Sequence, residues 1–309
     1  MAGSGTGANG PVSGMGLAWI LPKGYRAVNA SGTQHPFIEL TGVTKRYPGE
    51  TQPAVKQISL QVSDGEWVGL MGANGSGKST VLKLIMGFLH PDEGRIAIQG
   101  NANLEVARQV VGYVPETPVG LDHLTPRELL HYSHQMYNLP PQERQQRIEQ
   151  QLKAVGMWEH RDELIDGFSR GMRQRVLIAS ALIHQPDILL LDEPLQGLDA
   201  EAQLFLLEFL RQRPARCLIL ATHRLEVIRE VCNVGIILHR GEVKARLPLD
   251  PQTLEYYEVE TSPSVKSLQS QLPVTIQEWH PIDAQRIRFR FHGSAEDLQR
   301  VLQLLKHHK

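Results

Sequence analysis

Residues 72–79 decide the fold, and they read Gly72-Ala73-Asn74-Gly75-Ser76-Gly77-Lys78-Ser79. This stretch fits the pattern G-x-x-x-x-G-K-[ST], in which glycines let successive backbone N–H groups turn inward around a phosphate. Lys78 is then expected to reach the β and γ phosphates of a nucleotide, and Ser79 to offer its hydroxyl to Mg²⁺. An apolar run at 67–71 precedes the stretch, and helical spacing follows over 78–86. Strand, glycine loop and helix therefore stand in the order that a phosphate-binding loop needs.

Two acids follow a second apolar run, where Asp192 and Glu193 come directly after residues 188–191. An unpaired carboxylate is costly in a core, so both acids are expected at the exit of a buried strand, facing a bound nucleotide. Asp192 can support the Mg²⁺ shell, directly or through water, and Glu193 can polarise the attacking water. A phosphate loop alone also suits a GTPase or a kinase. The guanine-reading run Asn-Lys-x-Asp is absent from the sequence, and the added acids favour an ATPase.

Strand and helix patterns alternate along most of the chain. Strands are predicted at 37–40, 58–62, 67–71, 96–98, 188–191, 217–221 and 235–239, and helices at 78–86, 142–155, 172–183, 200–210 and 225–231. A further helix is predicted to start at Thr125, because Thr125-Pro126-Arg127-Glu128 fits a capping box with proline in the first turn. Strands that alternate with helices around a helical insert indicate a mostly parallel sheet with an all-helical subdomain.

In this order, the motifs resemble the nucleotide-binding subunit of an ATP-binding cassette (ABC) transporter over residues 37–247. The resemblance implies an α/β P-loop NTPase cassette with a mostly parallel core sheet, an antiparallel β subdomain and an α-helical subdomain. It also implies that Tyr47 stacks on adenine, that Asp199 belongs to the D-loop and that His223 contacts the γ-phosphate. The nucleotide-binding residues implied are Tyr47, Gly72, Asn74, Gly75, Ser76, Gly77, Lys78, Ser79, Thr80, Ser169, Gly171 and Asp199.

The signature turn, residues 168–172, reads Phe168-Ser169-Arg170-Gly171-Met172 and stands where the family usually has Leu-Ser-Gly-Gly-Gln. Ser169 and the N–H groups at Gly171 are expected at a helix N-terminus, where the positive end of the helix dipole favours a phosphate. In this family that phosphate belongs to a second subunit. The resemblance therefore implies that dimerisation, as a homodimer or a heterodimer, is part of catalysis.

Besides Phe168 in place of leucine, three departures from the family pattern concern polar or glycine positions. Arg170 replaces the first glycine of the signature, Met172 replaces its glutamine, and Glu116 stands where the family usually has a glutamine that touches Mg²⁺ and the water. Glutamate can still accept from water and bind Mg²⁺. The catalytic residues implied are Glu193, His223 and Glu116, and the Mg²⁺ ligands implied are Ser79, Asp192 and Glu116. The variants resemble the ATPase subunits of bacterial drug, polysaccharide, copper-maturation and gliding-associated exporters, whose permease is a separate chain.

Composition restricts the partners. The chain of 309 residues has 32 basic and 33 acidic residues, a formal net charge of −1, which argues against a protein that coats nucleic acid. Cys217 and Cys232 lie in apolar stretches, a usage that suits a reducing compartment. No apolar run approaches the roughly 18 to 20 residues that span a bilayer. The chain is therefore expected at the cytoplasmic face of a membrane, held there by the permease.

Three segments are predicted along the chain. Residues 1–36, rich in Gly, Ser and Ala, are expected to be a disordered extension, or the product of a start codon set too far upstream, rather than a signal or transit peptide. Residues 37–247 are expected to be the nucleotide-binding domain. Residues 248–309 are expected to form a small α+β domain that resembles the appended domain of the exporter branch. Its predicted elements are strand 256–260, helix 265–272, strand 274–279, strand 286–291 and helix 295–305.

Two further functions stay open beside that of a transporter subunit. One is a soluble ABC ATPase in a non-transport machine such as iron–sulfur assembly, and the other is a nucleotide-binding module without catalysis. The presence of Lys78, Glu193 and His223 disfavours the second. His131 and His134 stand one helical turn apart, a spacing able to hold a metal, but a solvated or permease-facing helix is the favoured interpretation because no acid or cysteine completes the site.

Overall fold

The structure, a computed structural model, describes residues 36–249 together with the backbone of three later strands. The strands within residues 36–249 are β1 (Ile38–Lys45), β2 (Val55–Val62), β3 (Trp67–Met71), β4 (Glu93–Ile98), β5 (Val111–Val114), β6 (Ile188–Asp192), β7 (Cys217–Thr222), β8 (Val234–His239) and β9 (Glu242–Pro248). The α-helices there are α1 (Lys78–Ile85), α2 (Leu104–Ala107), α3 (Pro126–Met136), α4 (Arg144–Ala154), α5 (Arg170–Leu182), α6 (Ala200–Arg211) and α7 (Leu225–Val231).

The central sheet has six strands in the order β5-β6-β7-β3-β8-β9. All neighbouring pairs are parallel except β8 and β9, so the prediction of a mostly parallel sheet is confirmed. Successive side chains of a strand point to opposite faces, and β6 follows this rule: Leu189 and Leu191 pack into one hydrophobic core, whereas Leu190 packs into a second core. Because β3, β6 and β7 are parallel, their carboxyl ends meet at one edge of the sheet.

A smaller antiparallel sheet has the order β2-β1-β4. It shares the second core with α1 and one face of the central sheet, through buried side chains such as Ile38, Leu60 and Leu82. The antiparallel β subdomain implied by the family resemblance is thus confirmed. Strand β1 continues to Lys45, beyond the predicted end at residue 40, because it pairs with both neighbours through irregular registers that the apolar pattern does not reveal.

The helical subdomain consists of α3, α4 and α5, which pack against one another over the first core. The predicted capping box is confirmed: Thr125 Oγ1 accepts from the Glu128 backbone N–H at 3.2 Å, and the Glu128 carboxylate accepts from the Thr125 N–H at 2.9 Å. Helix α4 ends before Gly156, whose φ of 68° is the left-handed conformation that glycine favours at a helix end. The predicted helices of this region overlap the observed ones within a few residues.

Three elements of the cassette were not predicted. Strand β5 has four residues and includes Gly112, and α2 is a single turn, so neither carries a periodic pattern long enough to detect. Strand β9 does alternate, with Val243, Ala245 and Leu247 between polar residues, and this alternation is the signal that could have predicted it.

The three later strands are β10 (Tyr256–Thr261), β11 (Ile276–Pro281) and β12 (Ile287–His292), which form an antiparallel sheet in the order β10-β12-β11. They overlap the predicted strands 256–260, 274–279 and 286–291. The predicted helices 265–272 and 295–305 lie outside the described residues, as does the predicted extension apart from Pro36. Among the described helices, none combines the length and the apolar character required to cross a bilayer.

Candidate active site

The phosphate loop joins β3 to α1 at the carboxyl edge of the central sheet. Lys78 Nζ donates to the backbone carbonyl oxygens of Gly72 and Ala73, at 2.8 and 3.3 Å. A Cβ at Gly72 would collide with the Leu238 carbonyl and the Ser76 side chain, so only glycine fits there. The Ser76 hydroxyl is buried and makes no hydrogen bond within the described part of the chain. This tight loop with an unpaired hydroxyl fits a phosphate.

Helix α1 begins at the end of this loop without a side-chain cap. Its N-cap is Gly77, with a φ of 106°, and no side chain among the described residues caps the amides of the first turn. These amides carry the positive end of the helix dipole, and an anion is their natural partner. The β8–β9 turn supports the loop from outside, because the Gly241 N–H donates to the Ser76 carbonyl oxygen at 3.0 Å.

Asp192 lies behind the loop, at the end of β6. The Ser79 hydroxyl donates to Asp192 Oδ1 at 3.0 Å, and Asp192 is 2% exposed. Burial raises the pKa of Asp192 above its usual value, and the negative charges of Glu116 and Glu193 raise it further, whereas the bond from Ser79 opposes the shift. A buried carboxylate beside a hydroxyl and a second acid forms a set of hard oxygen ligands, which fits Mg²⁺.

Glu193 is held by the end of the neighbouring strand β7. Its backbone N–H donates to the Ala221 carbonyl oxygen at 2.8 Å, and its φ of 44° is unusual for a non-glycine residue. Its Oε2 accepts from the Thr222 hydroxyl at 2.9 Å, and its Oε1 lies 3.1 Å from His223 Nδ1. Lys78 Nζ lies 3.6 Å from the same Oε1. The carboxylate is therefore fixed at the cavity wall.

A cavity of about 420 Å³ opens above these residues. It is lined by Tyr47, Ala54, Asn74, Gly75, Gly77, Lys78, Ser79, Thr80, Glu116, Glu193, Gln196 and His223. The Tyr47 hydroxyl lies 3.2 Å from Thr80 Oγ1, which joins the tyrosine to the first turn of α1. Most of the site residues predicted for a single subunit thus surround one cavity, and Ser76 and Asp192 are buried beside it.

The signature turn and the D-loop (residues 197–199) do not take part in the cavity, unlike the phosphate loop. Among the described residues, Ser169, Gly171 and Asp199 do not line the cavity. Ser169 Oγ accepts from the Met172 N–H at 3.2 Å and caps α5, and Asp199 Oδ1 accepts from the Ala202 N–H at 2.8 Å and caps α6. The structure brings these three residues to helix starts outside the cavity.

The signature turn packs against the D-loop of its own chain. The Arg170 guanidinium lies against Gly197, where it occupies the space that a Cβ would fill. Gly197 has a φ of 69°, so its backbone conformation also favours glycine. At Gly171, an added Cβ would approach the Ala202 side chain to 2.8 Å. The substitution of Arg170 for a glycine of the family pattern therefore creates a contact between two loops.

Sequence reasoning missed three residues of the site: Ala54, Gln196 and Thr222. Thr222 carries a signal, because it is the polar residue that ends the apolar run 217–221, as Asp192 ends the run 188–191. No sequence signal indicates Gln196 or Ala54, because each lies in a loop without a motif of its own.

The interpretation of α3 as a solvated helix at its two histidines is wrong for His134, which is fully buried. The inner face of α3 packs on α5, and the Ser133 and Ser180 hydroxyls meet there at 2.8 Å. Only His131 reaches the partly exposed side, where its Nε2 lies 2.8 Å from an Arg144 nitrogen.

Comparison with known proteins gives consistent results. A sequence model of the family described as "ABC transporter" matches residues 55–196. The chain is 36% identical over 222 residues to "ABC transporter ATP-binding protein NatA" of Bacillus subtilis (strain 168). This aligned region covers 69% of this chain and 90% of that protein. It is 35% identical over 209 residues to "Nod factor export ATP-binding protein I" of Sinorhizobium fredii (strain NBRC 101917 / NGR234), covering 66% of this chain and 60% of that protein.

Among solved structures, a dimeric post-hydrolysis state of an ATP-binding cassette bound to ADP and Pi is similar with a TM-score of 0.63 and 29% identity. The match covers 69% of this chain and 99% of the other. The chain therefore belongs to the ABC transporter family. It is an ATP-binding subunit and an ATP hydrolase with the cassette fold, so the resemblance drawn from the motifs is confirmed.

Proposed function

We propose that this chain powers a separate membrane permease, as the ATP-hydrolysing subunit of an exporter that works through ATP-dependent closure of a dimer. One observation carries the proposal. The cavity around Lys78 and the signature residues Ser169 and Gly171, both suited to phosphate, lie on different parts of the same chain. Two subunits that face each other bring the cavity of one to the signature turn of the other.

In the proposed mechanism, the predicted residues of the cavity divide the tasks of binding and hydrolysis. Tyr47 stacks on the adenine, and Lys78 with the loop amides holds the β and γ phosphates. Ser79, Asp192 and Glu116 would hold Mg²⁺, which would neutralise phosphate charge when bound. The further loop residues that bind the phosphates are Gly72, Asn74, Gly75, Ser76, Gly77 and Thr80.

Glu193 acts as the general base that accepts a proton from the attacking water. Its position at the cavity wall, with Oε1 facing the loop lysine, supports this role. His223 lies on the same wall and is half exposed, so it is free to contact the γ-phosphate. Glu116 also lines the cavity and assists with Mg²⁺ and the water.

Closure follows from the γ-phosphate, which attracts the signature turn of the second subunit through Ser169, the N–H groups at Gly171 and the start of α5. Hydrolysis removes that attraction and lets the dimer open. Asp199, at the start of α6, links one site to the other across the interface. The second subunit is a copy of this chain or a sister chain.

The permease and the direction of transport rest on two kinds of support. A relative carries "export" in its name, and the motif variants resemble the exporter branch. Tyr132 and Met136, four residues apart on one side of α3, are 58% and 61% exposed, and Val119 before this helix is 88% exposed. Exposed apolar side chains on the helical subdomain suit contact with another protein. The subunit therefore works at the cytoplasmic face of a membrane, without nucleic acid.

The domain division is part of the proposal. Residues 37–247 form the nucleotide-binding domain, 1–36 an extension, and 248–309 a C-terminal domain. Leu249 is buried against the first core, and its N–H donates to the Asn233 carbonyl oxygen at 2.8 Å. Since Pro248 lies in β9 and Leu249 packs in the first core, these two residues pack with the nucleotide-binding domain, which supports a boundary just after residue 249.

The substitution Glu193→Gln tests the mechanism. We expect turnover of Mg-ATP to fall by at least about 100-fold, because the base is lost while the shape is kept. We also expect ATP to hold the variant as a stable dimer, measured by light scattering after size-exclusion chromatography. Glu149→Gln, on the exposed face of α4, is the matched control and should leave turnover unchanged. A Glu193→Gln variant with normal turnover would refute Glu193 as the base.

Purification of the full chain from detergent-solubilised membranes tests the partner. We expect a protein with many membrane spans to co-purify and to raise ATP turnover of the subunit. Recovery of an active chain from the soluble fraction alone, with no membrane protein attached, would favour the soluble ABC ATPase instead.

A further inference from the structure

Thr222 is the last residue of β7 and lies beside Glu193, which follows β6 in the neighbouring position of the sheet. Thr222 is 1% exposed and Glu193 is 9% exposed, so their hydrogen bond is shielded from water. Thr222 does not line the nucleotide cavity within the described part of the chain. Its hydroxyl therefore acts on hydrolysis through the groups that it bonds, which are the Glu193 carboxylate and the Arg224 N–H beside His223.

The hydrogen bonds around Thr222 fix the direction in which its hydroxyl points. The backbone N–H of Arg224 donates to Thr222 Oγ1 at 3.2 Å, and an N–H group can only donate. The hydroxyl oxygen is thus used as an acceptor on that side, and its proton is directed to Glu193 Oε2 at 2.9 Å. Oε2 is occupied by this bond, whereas Oε1 faces His223 and Lys78.

We infer that Thr222 is a positioning residue for ATP hydrolysis, whose hydroxyl holds the Glu193 carboxylate so that Oε1 is presented to the attacking water. This inference rests on the proposed role of Glu193 as the base. In that mechanism His223 and Lys78 contact phosphates, so Oε1 is the oxygen that remains to accept the proton of the water. Thr222 thereby selects which carboxylate oxygen reacts.

The backbone around the pair makes this placement rigid. The Glu193 N–H donates to the carbonyl oxygen of Ala221, the residue before Thr222, so main chain and side chain are held by the same strand end. Threonine is β-branched and has few χ1 rotamers. All six residues of β7 are buried, which keeps the strand end in place. A displacement of about 1 Å in a reacting group costs on the order of 100-fold in rate.

The test compares Thr222→Val, which keeps the shape and removes the hydroxyl, with Thr222→Ser, which keeps the hydroxyl. We expect Thr222→Val to lower kcat about 10- to 100-fold and to leave KM for ATP within about twofold, because ground-state binding does not involve Thr222. Thr222→Ser should restore most of kcat. Ser133→Ala removes another buried hydroxyl, in the helical subdomain, and should leave kcat unchanged.

A second measurement separates positioning from a general structural effect. In the Glu193→Gln background, Thr222→Val should cause no further loss in single-turnover hydrolysis, because the group that it positions is already gone. Additive losses would overturn the inference, as would an unchanged kcat in Thr222→Val. Thr222→Ala provides the same comparison if the valine variant does not fold, as judged by ATP binding and thermal unfolding. Normal turnover of Glu193→Gln alone would instead overturn the proposed base.

Discussion

The nucleotide end of the central sheet (residues 72–80, 192–193 and 222–223) and the helical subdomain both bury polar side chains, but in different surroundings. At the nucleotide end, Lys78 and Glu193 line a cavity. Just after α5 of the helical subdomain, the partly buried His184 stacks on Tyr137 with ring centroids 3.5 Å apart, and its Nε2 lies 3.2 Å from the Val111 carbonyl oxygen. Buried polarity beside a cavity indicates a ligand, whereas buried polarity enclosed by packing indicates a structural role.

The two helix starts suited to phosphate differ in how their first amides are satisfied. Helix α1 begins at Gly77 without a side-chain cap, so its first amides are free for the nucleotide of the same subunit. Helix α5 begins at Ser169, whose hydroxyl caps the helix itself. The start of α1 therefore needs an anion to satisfy its amides, whereas the start of α5 is satisfied by its own serine. In the proposed dimer, the start of α5 would gain a phosphate only when another subunit supplies one.

The largest effect is expected for Lys78→Ala at the nucleotide end. The change removes the charge that holds the phosphates and leaves the buried Glu193 carboxylate without its nearby cation. We expect turnover to fall about 100- to 1,000-fold and ATP binding by the single subunit to weaken strongly. Enzyme-coupled turnover and equilibrium nucleotide binding measure both effects. Lys153→Ala, on the exposed side of α4, is the control, and equal losses in the two variants would contradict the assignment.

A smaller effect, on stability alone, is expected for His184→Phe in the helical subdomain. Burial lowers the pKa of His184 to about 4, below its usual value of 6.5. The neutral ring is therefore the folded form, and the stability it allows is present above pH 6.5 and is lost as pH falls from 6.5 to 4. The full change is about 3 kcal/mol, from 1.36 kcal/mol for each pKa unit.

The phenylalanine variant keeps a stacking ring and removes the titration. Its free energy of unfolding should depend less steeply on pH between 6.5 and 4, while turnover at neutral pH stays near normal. Urea unfolding at several pH values measures the slope, and His90→Phe on the surface is the control. An unchanged pH dependence of the free energy of unfolding would contradict the lowered pKa of His184. A large loss of turnover would show that His184 contributes to the active site.

The smallest effect is expected for Ser169→Ala at the start of α5. Loss of the cap should lower the free energy of unfolding by about 1 kcal/mol. Turnover should fall about tenfold, since the dimer closes less well, while ATP binding by the dilute single subunit stays unchanged. If Ser169→Ala weakens that binding as much as Lys78→Ala does, the separation of the two phosphate sites is wrong.

Sequence predicted the parts of the molecule whose chemistry is local. The phosphate loop and the acid pair each occupy consecutive positions, so their residue types and order reveal them. The partnership of Thr222 with Glu193 depends on the pairing of β6 with β7, which joins residues 29 positions apart. The burial of His134 depends on which face of α3 meets α5. Such relations follow from tertiary packing, and a single sequence does not state them.

The contact between Arg170 and Gly197 has a consequence for how the sequence of this subunit can change. Any side chain at position 197 would have to displace the guanidinium, and the backbone conformation there disfavours other residues as well. The positive φ of Gly197 restricts this position to glycine more strongly than the guanidinium does, because the end of a flexible arginine side chain can move away. In the proposed dimer the two loops would meet the second subunit already packed against each other, so that part of their ordering entropy is spent when the single subunit folds.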